Sequence, residues 1–312
     1  MNRPYKRHGS SLPALIIWII IAALLLCILV SGFTHSGFLY SFRNPFSGWN
    51  SSYATKEIKK DLTMDGIHAI SINGTSADIH VTASSDDQIH VDAKLRDNVS
   101  TEDAITNENG TLSISADSGN RFFWFPWDWH TSIINIALPA AYTGDFLTVI
   151  TSGDMSFPES LHLGKLLLHY TSGDIEGGNI TAASADIRGT SGSIQLQSLQ
   201  SPNFTLRQTS GDITVKQLSG AGGIGLVSGN IDTAITSISG DIKASSISGN
   251  IQFSLQNDLS AKVDASCISG DIHSDYPLNY AGAHRASGSV GGAPTYTISA
   301  QTTSGNIDFL KS

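Results

Sequence analysis

Apolar and polar residues alternate one for one over most of this chain. In Ile213-Thr214-Val215-Lys216, Ile213 and Val215 share one face and Thr214 and Lys216 the other. Ile251, Phe253 and Leu255 repeat the arrangement, with Gln252 and Ser254 opposite. A period of two marks a half-buried strand. Between residues 56 and 150 the same alternation holds at Ile70/Ile72, Ile79/Val81, Ile89/Val91, Leu112/Ile114 and Ile134/Ile136/Leu138. Asn109-Gly110 predicts a hairpin turn before Leu112. Past residue 30 no apolar stripe has helical spacing with caps, so the exported part is expected to be all-β.

A short word organises the second half. Ser-Gly, then Asp, Asn or Ser, then Ile, Met or Val recurs from residue 152 to the end. Its glycines are Gly153, Gly173, Gly192, Gly211, Gly229, Gly240, Gly249, Gly270, Gly288 and Gly305, at intervals of 20, 19, 19, 18, 11, 9, 21, 18 and 17. A fixed period of this size is the signature of a solenoid. Five-residue strands broken at glycine corners would stack coil on coil and bury their inward Ile, Leu and Val. Each glycine is expected at a corner of positive φ, which only glycine adopts without steric cost. The residues that follow would form a ladder in chain order: Asp154, Asp174, Ser193, Asp212, Asn230, Asp241, Asn250, Asp271, Ser289, Asn306. Eight intervals of 19 predict a rod of roughly 40 Å at one strand spacing per coil. Residues 151–312 are thus the repeat solenoid. Residues 56–150 form an N-terminal β segment that starts the stack and closes its end. Asp308 and Lys311 are expected to blunt the last edge.

The amino terminus adds a membrane element. Arg3, Lys6, Arg7 and His8 precede an uncharged run from Leu12 to Val30, 19 residues long. That length spans the hydrocarbon core, and the basic flank keeps the N-terminus in the cytoplasm. The run exceeds the 7–15 residues of a signal-peptide core, and Val30-Ser31-Gly32 is a poor cleavage site. The expected order is a cytoplasmic tail (1–11), a signal-anchor helix (12–30), an aromatic-rich juxtamembrane linker (31–55) and an extracytoplasmic domain. Cys27 lies in the apolar run and Cys267 is the other cysteine, so the domain has no internal disulfide.

Charge then narrows the partners. The chain carries 18 basic and 27 acidic residues, net −9. Without Arg3, Lys6 and Arg7 the balance is 15 against 27, or −12. With no basic cluster, nothing is gained from counterion release, which excludes nucleic acid. Charged residues are 14% of the chain, against about 25% in ordinary soluble domains.

Several constellations invite chemistry. The insert Arg121–His130 holds Phe122, Phe123, Trp124, Phe125, Trp127 and Trp129 between two strand segments. As a loop it could stack on sugar rings or enter lipid headgroups; as a structural element it would cover the end of the solenoid. The corner carboxylates suggest calcium, with Asp154 and Asp174 the nearest pair. Calcium rolls, however, use a nine-residue word with paired glycines, so no metal site is expected. Gly220-Ala221-Gly222-Gly223-Ile224-Gly225 fits a dinucleotide fingerprint in letters, but it sits among strand repeats without a βαβ unit. Gly189-Thr190-Ser191-Gly192 lacks the spacing of a nucleophile elbow. His80 and His90 face away from the inward side, and His162 and His169, seven apart, are expected on opposite faces. No acid pair stands out for catalysis, and no cofactor is implied.

The order of pieces resembles the bacterial putative-adhesin family of β-strand-repeat domains, a family of unknown function. The resemblance runs through Asp65-Gly66-Ile67, Ile70-Ser71-Ile72, Ser76-Ala77-Asp78-Ile79-His80-Val81 and Ile136-Ala137-Leu138-Pro139 into the Ser-Gly-Asp-Ile words, over about 250 of the 312 residues. It implies an extracytoplasmic, single-stranded right-handed β-solenoid, often membrane-tethered, in envelope or envelope-stress settings, with no catalytic residues. The aromatic insert departs from that pattern. The expectation is a non-enzymatic surface adhesin or envelope scaffold that meets cell-wall glycan, lipid headgroups or an envelope protein. The rival is a solenoid lyase or hydrolase acting on envelope polysaccharide.

Overall fold

Strand-forming alternation and glycine punctuation produce a stack of β coils. The computed structural model describes residues 55–96, 101–116, 131–157 and 160–312, all within one compact unit, Tyr53–Ser312. The coil is plainest in β10 (Ile175–Ser191) and β11 (Ile194–Ser210), parallel and in register from Ile175 opposite Ile194 to Ser191 opposite Ser210. In β10 the buried positions are Ile175, then Ile180 and Ala182, then Ala185 and Ile187. The alternation changes phase twice, so each coil has three straight runs. Parallel pairing continues through β9 (Ser160–Ser172), β12 (Ile213–Ser228) and β13 (Ile231–Ser248), with register shifts at Ser201–Phe204 and between Val215 and Gly222.

The residue after each corner builds a continuous inner column. Ile134, Ile79, Met155, Ile175, Ile194, Ile213, Ile231, Ile251, Ile307 and Ile272 stack in that order, all buried. Burying such a side chain contributes roughly 1.5–3 kcal/mol over leaving it exposed. The recurring Ile of the sequence word is therefore the core of the stack.

Chain order and stacking order part company at both ends. β2 (Ala69–Ala83) lies between two later coils. On one side are β5 (Thr111–Ser115) and β6 (Ser132–Leu138); on the other are β7 (Asp145–Ser152) and β8 (Met155–Ser156). At the far end β19 (Thr297–Ser304) and β20 (Ile307–Lys311) insert between two earlier coils. Their neighbours are β13 with β14 (Ile251–Leu255), and β15 (Ala261–Ser269) with β16 (Ile272–Ser274). Ten rungs result, at Ser132, Ala77, Gly153, Gly173, Gly192, Gly211, Gly229, Gly249, Gly305 and Gly270. Nine spacings give a length of about 43 Å.

Antiparallel strands finish the stack. β3 (Gln88–Arg96) pairs with β6, and β1 (Thr55–Thr63) pairs with β3. After the single turn α1 (Thr101–Ala104), β4 (Ile105–Glu108) pairs with β5 through Asn109 (φ +51°) and Gly110 (φ +76°). Two positive φ values are what a two-residue type I′ hairpin requires. At the other end β18 (Arg285–Val290) runs antiparallel to β15, with β17 (Asn279–Tyr280) beside it. One expectation fails here. Asp308 and Lys311 do not blunt an edge, because β20 has a strand on each side.

No helix among the described residues is long and apolar enough to cross a membrane. The expected span at 12–30 and the tail 1–11 lie outside the described residues, as does the linker 31–55 apart from the first residue of β1.

Candidate binding surface

The corner ladder is built by hydrogen bonds between coils. Asp78 Oδ1 accepts from the Asp154 amide (3.0 Å), Asp154 Oδ1 from that of Asp174 (2.8 Å), and Asp174 Oδ1 from that of Ser193 (2.7 Å). Asp212 Oδ1 accepts from the Asn230 amide (2.7 Å), and Asn230 Oδ1 from that of Asn250 (3.1 Å). The line closes with Asn250 Oδ1 to the Asn306 amide (2.8 Å) and Asn306 Oδ1 to the Asp271 amide (3.0 Å). Asp, Asn and short polar residues suit this post because their oxygen reaches a backbone donor close by. Among the described residues no three His, Cys, Asp or Glu side chains gather to hold a metal ion.

The glycines beneath the ladder divide into two kinds. Gly153, Gly173, Gly192, Gly211, Gly229, Gly249, Gly270 and Gly305 have φ between +109° and +142°. A Cβ on Gly211 would lie 1.7 Å from the Gly192 carbonyl oxygen, and one on Gly249 1.8 Å from that of Gly229. Gly240 and Gly288 are corrections to the expected list. Neither has positive φ, and they lie inside β13 and β18. Asp241 and Ser289 accordingly leave the corner ladder. Asp241 serves a second corner instead, its Oδ1 accepting from the Thr297 amide (2.8 Å), as Asp145 Oδ1 accepts from that of Lys165 (2.8 Å). The half-length intervals on either side of Gly240 thus mark two corners of one coil.

Other polar groups are mostly structural. Tyr170 lies across Gly189, where a Cβ would be 2.3 Å from its ring, and donates to Gln208 Oε1 two coils on (2.6 Å). Gln208 Nε2 in turn donates to the Gly192 and Ser210 carbonyls. Burial raises the Tyr170 phenol far above its usual range. Cys267 is a free, buried thiol, and burial, then Asp271, raises its pKa. His80 Nδ1 lies 2.9 Å from Ser156 Oγ. His162 and His169 both point outward, contrary to the opposite faces expected. The phase of the alternation breaks at Gly164-Lys165, where β9 turns between two sides of its coil.

One outward side carries a trough. Two outward rows run along it: Asp186, Thr205, Gly223, Lys243, and beside it Arg188, Arg207, Gly225, Ser245. At β12 both rows have glycine, leaving a trough of about 530 Å³. Gly223 and Gly225 form its floor, Arg207 and Lys243 stand on opposite walls, and Val227 and Ile247, 42% and 54% exposed, flank one end. Nothing in the alternation of the sequence separates these glycines from the neighbouring Gly220 and Gly222. Those two have φ of +130° and +152° and carbonyls within 2.0 Å of a Cβ.

The aromatic residues Phe122, Phe123, Trp124, Phe125, Trp127 and Trp129 lie outside the described residues. The residues that flank this stretch, Ala116 and Thr131, are described. Ser132 Oγ donates to the Ala116 carbonyl (3.4 Å), Ala116 N to the Asn73 carbonyl (2.8 Å), and Ser76 Oγ to Thr131 Oγ1 (3.4 Å). Described residues on both sides of the insert thus meet at the corner line of the terminal coil.

Comparison with solved structures finds a putative adhesin from Bacteroides fragilis, 16% identical over 83% of this chain and 99% of that one, with a TM-score of 0.43. A putative adhesin from Parabacteroides distasonis is 12% identical over 83% and 98%, TM-score 0.46. A putative lipid binding protein from the same species is 14% identical over 82% and 97%, TM-score 0.35. No curated protein matches. The Toastrack DUF4097 family model matches residues 67–309, from the residue after Gly66 to the buried Phe309 of the inserted last coil. The chain belongs to the Toastrack DUF4097 family.

Proposed function

We propose that this chain is a non-enzymatic extracytoplasmic surface protein. In this reading residues 12–30 cross the membrane once, and a right-handed solenoid presents its outer sides to envelope material: wall glycan, lipid headgroups or an envelope protein. Right-handedness follows from the strong preference of parallel strand connections for that hand. The observation that carries the reading is the commitment of the corner carboxylates. Asp78, Asp154, Asp174 and Asp212 each accept a backbone amide of the next coil. Carboxylates serving as backbone acceptors hold the rod together, and its open sheet sides are left for contact. No catalytic family is indicated among the matches.

Two measurements test it. Protease added to intact cells should digest an epitope placed after residue 312 and spare one placed before residue 1. The full-length chain in mild detergent should pellet with purified sacculi or with envelope membranes. Loss of pelleting on replacing Trp124, Trp127 and Trp129 with Ala would assign the contact to the insert. An accessible N-terminal epitope with a protected C-terminal one would refute the placement, and failure to pellet with either material would refute the binding role.

A further inference from the structure

We propose that the trough over Gly223 and Gly225 binds an acidic saccharide residue. The inference rests on the binding role above and names the chemistry of one site within it.

Neither floor glycine is demanded by the fold. Neither has positive φ. A Cβ on Gly225 would meet Arg207 Cγ at 3.5 Å and Ser245 Oγ at 3.8 Å, and one on Gly223 would meet the Lys243 carbonyl at 3.9 Å. These are ordinary contacts, so a side chain fits at either position. Glycine in a strand interior costs stability and often marks close approach of a ligand or another backbone. Here the bare backbone opens a volume of about 530 Å³, within the span of small-molecule sites.

The walls give the sign of the ligand. Arg207 and Lys243 stand on the coils either side of the floor, diagonally across it: two strand spacings apart and two residues offset along the strand, about 12 Å between backbones. Neither has an ion-pair partner among the described residues, whereas the adjacent Arg188 is held by Asp186 at 2.7 Å and Lys216 faces Asp232 at 3.8 Å. In the row of Lys243 the next acid is Asp264, two coils away. The nearer acids are already engaged: Asp241, two residues before Lys243 on the same outward face, accepts from the Thr297 amide, and Asp186, one coil from Arg207, is held by Arg188. The trough is thus locally cationic on a chain of net charge −9.

The floor gives the shape. The amides of a central strand are spent on the strands at either side, so the floor offers Cα–H surface and no nest of free N–H groups for a bare phosphate. A pyranose ring can lay its C–H face on that floor and against Val227 and Ile247. Its carboxylate then meets Arg207 or Lys243, and the Thr209 and Ser245 hydroxyls are available to its ring hydroxyls.

Calorimetric titration of the full-length chain in mild detergent with tetragalacturonate tests this, with maltotetraose and inorganic phosphate as comparison probes. Saturable binding of tetragalacturonate alone is expected. Arg207→Gln and Lys243→Gln should each weaken it roughly ten- to a hundredfold, the scale of one charge-assisted hydrogen bond. Gly225→Leu should abolish it. The exposed cation substitutions should leave the far-ultraviolet spectrum unchanged, so they decide the matter even if Gly225→Leu folds poorly. Absence of tetragalacturonate binding, equal binding of phosphate or maltotetraose, or indifference to both cation substitutions would overturn the proposal. If the wild-type chain pellets with sacculi yet fails these titrations, the inference falls and the binding role stands. If it titrates but pellets with nothing, the site stands and the envelope role falls.

Discussion

Alanine replacement along the glycines should sort them into two classes, and Gly211 against Gly223 is the sharpest pair. At Gly211, φ is +109° and the new Cβ would lie 1.7 Å from the Gly192 oxygen and 2.7 Å from its carbon. Left-handed backbone costs an L-residue about 1–2 kcal/mol. Moving a rung of backbone to admit a methyl adds about 1–3 kcal/mol. The sum, roughly 2–5 kcal/mol, is a large part of a total stability of about 5–15 kcal/mol. It predicts a fall in melting temperature of roughly 4–20 °C for a domain of this size. At Gly223 the backbone is ordinary and the space is open, so alanine should be neutral or raise stability by about 0.4–1 kcal/mol through the unfolded chain. Because coils are stabilised by their immediate neighbours, the Gly211 lesion should also broaden or split the transition. Thermal melts followed at 218 nm, with limited proteolysis near residue 211, would show it. Equal melting temperatures for Gly211→Ala and Gly223→Ala would refute the claim that carbonyl approach and positive φ define the corners.

Three further outcomes are expected. His90 Nδ1 lies 2.6 Å from Asp61 Oδ1 and its Nε2 2.9 Å from Asp86 Oδ1, and these carboxylates raise its pKa. Its stabilising contribution is therefore complete below its unfolded pKa near 6.5 and fades as pH rises through the folded value. The melting-temperature gap between wild type and His90→Gln should shrink from pH 5.5 to pH 8.5, and a gap that grows would contradict the contact. Thr233, fully buried between Val215 and Phe253, has an Oγ1 with no hydrogen-bond partner among the described residues; Thr233→Val should raise stability by about 1–3 kcal/mol, and a lower melting temperature would show the hydroxyl to be satisfied. Deleting residues 297–312 removes the buried Ile298, Ala300, Ile307 and Phe309 from inside the stack, so the product should be insoluble or rapidly digested, whereas full protease resistance would contradict the interleaved order.

Strand content and the coil period were legible in the chain because inward Ile and corner Gly-Asp each repeat once per turn. The period says nothing about which coils touch. Hydrogen bonds between parallel coils join whichever Ser-Gly-Asn rungs come together, and the word at Ser304-Gly305-Asn306 reads the same whether its neighbour is Asp271 or Asn250. In the structure it has both. Gly240 misled for a related reason. A Ser-Gly-Asp word fits any corner that wants an Asp oxygen, and the second corner wants one too, without requiring left-handed backbone at its glycine. The trough was hidden because its glycines sit inside a run whose other members, Gly220 and Gly222, are there for backbone reasons.

Interleaving at both ends bears on which strand edges the stack leaves open. A solenoid whose last coil is simply the end of the chain exposes a full row of unpaired amides and carbonyls, which invites another copy to continue it. Here β20 is internal, with Phe309 against Phe253 at a ring separation of 5.9 Å and the Lys311 amide held by Asp275 Oδ2 at 3.0 Å. Among the described residues the stack ends on strands unsuited to extension. At one end are β1, with Lys56, Glu57, Lys59, Lys60 and Asp61 along a nine-residue edge, and the four-residue β4. At the other is the three-residue β16 beside the antiparallel β18. Charge and shortness are the two features that discourage edge pairing. The buried column therefore runs from Ile134 to Ile272, while the terminal strands among the described residues are charged or short, which leaves the sides of the coils as the broadest uninterrupted surface.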